Sequence, residues 1–340
     1  MPQRGRVTIH DVARRANVSV ATISRVLNNS TLVAKETRDK IQRIANELKF
    51  VPNASARGLS IRRSEMIGLL LPDMFGEFFS EVIRGADQTA QENNYHLLVS
   101  SSHNNREEIE AAIRLMRGRV DGLVIMSPHT DSRTLSKNLP HDLPVVLLNC
   151  SNKDHYFDSL NIDNYGGAYQ MVRHLLEHGH RSIAIIKGTE HNLDAEERLD
   201  GYRNALLKSP ATSDPSLELP GNFTDSAGYD AVRTMLSNGR RATAIFASND
   251  SMAIGALSAL RDAGIQVPGE IALAGFDDIP TAAYLTPSLT SVRTDINNLG
   301  AMAMRQILSG VKNKNNHKPE ARVLPALLSI RESCGCGRNS

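Results

Sequence analysis

The sequence predicts an α/β protein: a small helical head with a helix-turn-helix, a short hinge helix, and a larger body of two doubly wound parallel sheets. Three observations carry this. Residues 1–63 hold 13 Lys/Arg against 4 Asp/Glu, a net of +9, whereas the remaining 277 hold 26 against 33, a net of −7. Residues 8–49 carry helix start signals followed by apolar residues at helical spacing. From Met66 onward, short apolar runs alternate with amphipathic stretches, the pattern of strands covered on both faces by helices.

In the head, Thr8 followed three residues later by Asp11 has capping-box spacing, and Ile9, Val12, Ala13 and Ala16 then share one helical face. Asn17-Val18-Ser19 interrupts the pattern, and Ser19 caps a second short helix whose apolar face is Ile23, Val26 and Leu27. Two short helices and a three-residue turn make a helix-turn-helix. A third helix reads from Lys35 to Leu48 on the stripe Ile41, Ile44, Ala45 and Leu48, although Ala34 stands where a capping Ser or Thr is expected. Pro52 stops this structure, Asn53 can cap, and Ala54, Ala56, Arg57 and Leu59 favour one more short helix. Gly58 weakens it by about 1 kcal/mol relative to alanine. Two turns of helix are unstable alone, so this segment is expected to fold only on DNA beside a second copy. The head is therefore 1–51, the hinge 52–63 and the body 64–340.

In the body, strands are expected at Met66 to Leu71, Tyr95 to Val99, Gly122 to Met126 and Val145 to Leu148, with helices at Phe78 to Gln91 and Glu107 to Arg117. A second set begins near Asp163. Its helices are Gly167 to Glu177, Glu197 to Leu207, Ala227 to Ser237 and Ser251 to Ala263, and its strands are Ile183 to Ile186, Ala244 to Phe246 and Ile271 to Phe276.

A composition of 41% hydrophobic and 22% charged residues excludes disordered and fibrous classes. Three cysteines, two of them in Cys334-Gly-Cys336, are an odd count that builds no disulfide framework, and a reducing cytoplasm is expected. No stretch approaches the roughly 18 apolar residues that span a bilayer, so neither export nor membrane insertion is expected. A cationic head on an acidic body suits double-stranded DNA as partner. With Val20 to Asn28 in a major groove, the residues facing base edges are Val20, Ala21 and Arg25. Arg25 can grip guanine O6 and N7, while Val20 and Ala21 offer apolar contact to a thymine methyl. Ser19, Thr22, Ser24 and Asn28 suit phosphate oxygens, with capping as the main role of Ser19. Thr8 completes the DNA-contacting set of the head.

The run Thr8-Ile-His-Asp-Val-Ala-Arg-Arg-Ala-Asn-Val-Ser-Val-Ala-Thr-Ile-Ser-Arg-Val-Leu-Asn28 resembles the DNA-binding head of the LacI/GalR family of bacterial transcription regulators. The likeness continues through Glu36-Thr-Arg38, Phe50-Val-Pro-Asn53 and Ala54-Ser-Ala-Arg-Gly-Leu59, and covers about residues 8–332. It implies a hinge helix in which Arg57 faces DNA and Leu59 wedges between base pairs from the minor groove; the alternative for Leu59 is a buried linker contact. It also implies a two-lobed core of the periplasmic-sugar-binding-protein type, to which Leu289 to Val292 and the helix Ile296 to Leu308 return in the first lobe. The lobes are delimited at about 64–162 with 293–322 and about 163–292 with 323–340, so the strand at 289–292 stands at the crossover.

The resemblance further implies an effector cleft between the lobes. Arg198 in Glu197-Arg-Leu-Asp-Gly-Tyr202 falls on the family's ligand-binding arginine, Asn249 in Ser248-Asn-Asp250 on its amide, and Asp277 in Gly275-Phe-Asp-Asp278 on its carboxylate. Phe223 falls on the stacking aromatic and Phe79 on the first-lobe wall. A structural ion pair is the alternative for Arg198 and Asp277, and ordinary core for Phe79. Asn149 falls where several relatives have an aspartate that links ligand to lobe rotation. Asp278 is expected to be structural. Asn249 points to a carbohydrate or sugar phosphate, since relatives that bind nucleobases tend to lack this amide.

Enzymatic motifs are missing: there is no Walker loop and no Gly-x-Ser-x-Gly elbow. Cys334 and Cys336 are read as too close and too isolated for a zinc site, and His10, His174, His178, His180 and His191 as surface or cap residues. No enzyme activity, cofactor or metal is expected. The expected protein is a repressor that acts as a homodimer on a palindromic operator under control of a small ligand. The alternatives are control by a partner protein, control by a nucleobase-type corepressor, and a sugar-binding transport protein, against which the basic head argues.

Overall fold

A computed structural model describes residues 7–27, 32–50, 64–130, 132–137, 139, 143–152, 156–209, 214–239, 242–313 and 317–336. Asn28 and the whole hinge, including Arg57 and Leu59, lie outside the described residues. The chain divides into two compact units, Met1–Ser64 and Glu65–Ser340.

The head is three helices, α1 (Ile9–Ala16), α2 (Val20–Leu27) and α3 (Lys35–Glu47). Asp11 fastens the first turn of α1, its carboxylate accepting from the Thr8 backbone N–H at 2.9 Å and the Thr8 hydroxyl at 2.7 Å. Asn17 ends the helix in the left-handed conformation, φ 53°, which asparagine tolerates better than most residues. The Ser19 hydroxyl then accepts from the Thr22 N–H at 3.1 Å and starts α2. Val12, Ala16, Ile23, Val26 and Ile41 close the small core.

In the body the first sheet contains β1 (Met66–Leu71), β2 (His96–Ser101), β3 (Gly122–Met126), β4 (Val145–Leu148), β5 (Asp158–Ile162) and β11 (Ala321–Leu324), in the order β11-β5-β4-β3-β1-β2, all parallel. The second contains β6 (Ile183–Ile186), β7 (Glu218–Leu219), β8 (Ala244–Ala247), β9 (Ala272–Asp277), β10 (Thr290–Arg293) and β12 (Leu327–Ser329), in the order β12-β10-β9-β8-β6-β7. Here only β12 is antiparallel to its neighbour. Helices α4 (Glu77–Glu92), α5 (Arg106–Met116), the short α6 (Ser132–Ser136) and α11 (Ile296–Lys312) accompany the first sheet. Helices α7 (Asn164–Glu177), α8 (Leu193–Leu207), α9 (Asp225–Ser237) and α10 (Asp250–Asp262) accompany the second.

Three segments cross between the lobes, at β5–α7, β10–α11 and β11–β12. The assignment of Leu289 to Val292 to the first lobe is corrected: β10 pairs in register with β9, Val292 opposite Phe276, and the chain leaves the second lobe only after Arg293. The physical reason is burial, since Leu289, Thr290, Ser291 and Val292 are all enclosed by the second sheet's own layers. The last crossing follows Leu324, whose partner in β5 is Ile162. Among the described residues, no helix is long and apolar enough to cross a membrane.

Candidate functional site

On α2, Ala21 and Arg25 are exposed one turn apart on one face, while Ile23 and Val26 point into the core. Val20 and Thr22 are half-buried beside them. The hydroxyls of Thr8, Ser19 and Thr22 already serve the helix starts, with Ser19 Oγ 2.9 Å from Thr22 Oγ1. Each remains at the surface or its edge, so Arg25 is the long donor of this face with no partner among the described residues, and the hydroxyls are anchored short ones.

The second candidate site is a cavity of about 500 Å³ between the lobes. Asp73, Phe75, Phe79 and His129 line it from the first lobe, and Asp194, Arg198, Phe223, Asn249 and Asp277 from the second. Arg198 leaves the middle of α8 and is buried at 3% exposure. Its Nε donates to Asn164 Oδ1 at 2.8 Å, its Nη1 donates to the Ser248 carbonyl, and its Nη2 lies 3.3 Å from Asp277 Oδ1. The guanidinium rests 3.8 Å from the centre of the Phe276 ring, a cation–π contact strengthened by burial. Arg198 also lines the cavity, so its N–H groups not held by Asn164 and Ser248 face the ion pair and the cavity side.

Asp277 closes β9 with φ 104°, a conformation that strains any residue with a Cβ and is characteristic of functional sites. Its Oδ1 is buried without a hydrogen-bond donor, the Arg198 contact being an ion pair of poor hydrogen-bond geometry. Burial pushes the carboxyl up to about 7, although the Arg198 charge pulls the other way.

Asn249 caps α10. Its Oδ1 accepts from the Met252 N–H at 2.9 Å and its Nδ2 donates to the Phe223 carbonyl at 3.0 Å, which leaves one N–H for a ligand. The amide thereby holds Phe223 in place, and the Phe223 ring lies over Gly188, where a Cβ would come within 2.2 Å of it. Phe79 is half-buried and edge-on to Phe78, with ring centroids 5.4 Å apart.

Asn149 does not line the cavity. It is buried behind it and donates from the first lobe to Asp194 of the second at 2.9 Å. Asp194 also accepts from Asn164 at 2.9 Å, so an unbroken polar chain runs from Asn149 through Asp194, Asn164 and Arg198 to Asp277. Desolvation raises Asp194 above the usual carboxylate range, Arg198 and the two amides opposing it. Sequence reasoning missed Asp194 because it began α8 at Glu197. The signal was present: Asn192 accepts from the Ala195 N–H at 3.0 Å and caps the helix four residues earlier. Asn164 was missed in the same way, three residues ahead of the expected start of α7. Asp278 takes the structural place expected of it, accepting from Ser329 at 2.7 Å and pairing with Arg331. Further contacts join the lobes across the cavity: the Leu193 N–H donates to the Pro128 carbonyl at 3.0 Å, and the Thr281 N–H donates to Glu77 at 2.9 Å.

One part of the sequence reading is corrected. Cys334 and Cys336 are not isolated, because α7 brings His174 Nε2 to 3.2 Å from Cys336 Sγ.

A helix-turn-helix head with an arginine on its open face, joined to two α/β lobes around a polar cavity, defines a DNA-binding transcriptional regulator. The description "Bacterial regulatory proteins, lacI family" matches residues 8–53, and "Periplasmic binding protein-like domain" matches 172–334. The chain is 34% identical to the ribose operon repressor of Haemophilus influenzae over 96% of its own length and 98% of that protein. It is 33% identical to the HTH-type transcriptional repressor PurR of Escherichia coli O1:K1 / APEC, over 95% and 96%. Among solved structures, the Lac repressor dimer bound to operator and the anti-inducer ONPF superposes with a TM-score of 0.83 at 26% identity, covering 96% of this chain and 99% of that one. The chain belongs to the LacI family; it is a DNA-binding transcriptional repressor, and its relatives are regulators, not enzymes.

Proposed function

We propose that the chain is a homodimeric repressor whose affinity for a palindromic operator is set by a small carbohydrate or sugar phosphate bound between the lobes. The observation that carries the reading is a buried ion pair on one cavity wall: Arg198 and Asp277, 3.3 Å apart and at 3% and 5% exposure, both line the cavity. A guanidinium and a carboxylate there can donate to and accept from neighbouring ligand hydroxyls. Sugar hydroxyls both donate and accept, and a pyranose or furanose ring has a weakly apolar face, so Asp277, Arg198 and the remaining Asn249 N–H fit the rim while Phe223 and Phe79 fit the face. A relative named for a ribose operon supports the sugar class. In the head, Arg25 reads a base with Val20 and Ala21 beside it, and Thr8, Ser19, Thr22 and Asn28 hold phosphates. In the hinge, Arg57 contacts DNA and Leu59 unstacks a base step. Asn149 couples ligand to lobe angle through Asp194.

The test is operator binding with and without a panel of sugars, for wild type, Arg198→Ala and Asp277→Ala. Wild type is expected to change operator affinity by about 5- to 150-fold with the right sugar, a typical coupling of 1–3 kcal/mol. Both variants are expected to lose that response and keep ligand-free operator binding: Arg198 retains Asp194 as a nearby counter-charge when Asp277 is removed. Variants that respond as wild type does place the effector elsewhere. If no sugar acts on wild type, a nucleobase or a partner protein takes its place.

A further inference from the structure

The chain's last described residues are held against the second lobe by specific bonds. Ser333 Oγ accepts from the Thr290 N–H at 2.8 Å and donates to the Leu273 carbonyl at 2.6 Å, and Glu332 accepts from the Ser288 N–H at 2.9 Å. Cys334 is thereby buried at 3% exposure. Gly335, with φ 78°, then turns the chain through the left-handed region that glycine adopts freely, and this brings Cys336 back beside Cys334. From the other side, the last turn of α7 presents His174. Its Nε2 is 3.2 Å from Cys336 Sγ, and the three candidate ligand atoms all lie within 4.8 Å of one another. Among the described residues this is the one group of three or more His, Cys, Asp or Glu side chains with metal-ligand proximity.

Two thiolates at about 2.3 Å and an imidazole nitrogen at about 2.0–2.1 Å from one ion stand roughly 3.3–3.8 Å apart, inside the spread observed here. The donor set is soft sulfur with borderline nitrogen and no carboxylate, which disfavours magnesium and calcium and favours thiophilic ions. We propose that Cys334, Cys336 and His174 form a binding site for one thiophilic d¹⁰ cation, Zn²⁺ or Cu⁺, that ties the C-terminal segment to α7. Zn²⁺ takes these three ligands plus a solvent oxygen at the half-exposed side of Cys336, and Cu⁺ takes them in a three-coordinate arrangement. The site is separate from the cavity between the lobes, since none of the three residues lines it.

The experiment uses the reduced full-length chain. Zn²⁺ is titrated against a chromophoric chelator, Co²⁺ is substituted to read a thiolate-to-metal charge-transfer band, and Cu⁺ is titrated anaerobically against bicinchoninate. One ion per chain is expected in the Zn²⁺ or the Cu⁺ arm, and the arm that saturates identifies the ion. Cys336→Ser is expected to lose binding, His174→Gln to shift the band and weaken binding, and Cys150→Ser to bind as wild type does. Circular dichroism of the metal-free variants shows whether each is folded; Cys336 and His174 are only half-buried, so folded variants are expected. Failure of reduced wild type to bind either ion overturns the proposal, and so does binding by folded Cys336→Ser that matches wild type.

Discussion

At the scale of single residues, Asp277 is the most exposed to test, because its titration has a sign. The carboxyl's ordinary value of 3.8 is raised to about 7 in the folded protein, with burial as the cause. The native state therefore binds a proton more tightly than the unfolded chain, and the protein loses stability as pH climbs between those two values. A ligand hydroxyl donating to the ionised carboxylate prefers the deprotonated form. Ligand affinity is therefore expected to rise as pH climbs toward about 7 and to level off above it, with proton release on binding below about 7. Asp277→Asn should flatten the rise, and calorimetry in buffers of different ionisation enthalpy measures both. A wild-type affinity independent of pH over that range sinks the acceptor role. In the head, Arg25→Ala is expected to cost about 1–3 kcal/mol on the specific operator and to flatten preference at one position per half-site. Equal losses on operator and random DNA, read by competition binding, would remove Arg25 from base reading. Arg198 and Asp277 were legible in the sequence only through the resemblance, because Glu197-Arg-Leu-Asp-Gly-Tyr202 and Gly275-Phe-Asp-Asp278 fall on the family's ligand-binding arginine and carboxylate. Asp194 was not, because the helix was expected to start only at Glu197, and nothing local in the sequence shows that Asn149 of the opposite lobe holds this carboxylate.

At the scale of elements, hydrophobic pattern located the strands that are apolar throughout, such as Gly122–Met126 and Val145–Leu148, to the residue. It missed β5, whose Asp158-Ser-Leu-Asn-Ile162 looks like a turn. The strand exists because its polar groups find partners in space: Asp158 accepts from the Glu320 N–H at 2.8 Å and from Gln306 at 2.9 Å. Both partners lie about 150 residues downstream, beyond any local window. These two helix starts were misplaced by four and three residues for a related reason, since Asn192 and Asp163 cap from outside the apolar periodicity. What joins the elements was also hidden. Helices α4 and α11 approach through Gly85 and Gly300; a Cβ on Gly85 would sit 1.8 Å from the Asn297 carbonyl oxygen, backbone that cannot yield like a side chain. Gly85→Ala is accordingly expected to destabilise the body by about 1–3 kcal/mol, the usual cost of overpacking. A urea midpoint equal to wild type would show that the two helices separate without penalty. Asn249→Ala is expected to cost about 1 kcal/mol through its cap and also to blunt the ligand response, because the same amide pins the Phe223 carbonyl. Loss of stability with the response intact would confine Asn249 to capping.

At the scale of the whole molecule, one short recognition helix touches only a few base pairs, and such a reader gains enough sequence information by two-fold repetition. The chain is expected to be a dimer in sedimentation, with half-sites about one helical turn of DNA, 34–36 Å, or a multiple of it apart. In the proposed scheme residues 52–63 meet the DNA in the dimer, and Leu59 is expected to contribute there through shape. An isobutyl group forms no hydrogen bond, so its contribution is to fill the gap of an unstacked step, at a cost of a few kcal/mol that the kinked duplex returns by touching both hinges. Leu59→Ala should then lose operator affinity and DNA bending together, whereas a phosphate-contacting arginine such as Arg57, replaced by alanine, should weaken all sequences alike and keep the bend. Gel phasing measures the bend and titration the affinity. Affinity lost with the bend unchanged would return Leu59 to a packing contact, and a stable monomer on the operator would overturn the expected two-fold arrangement.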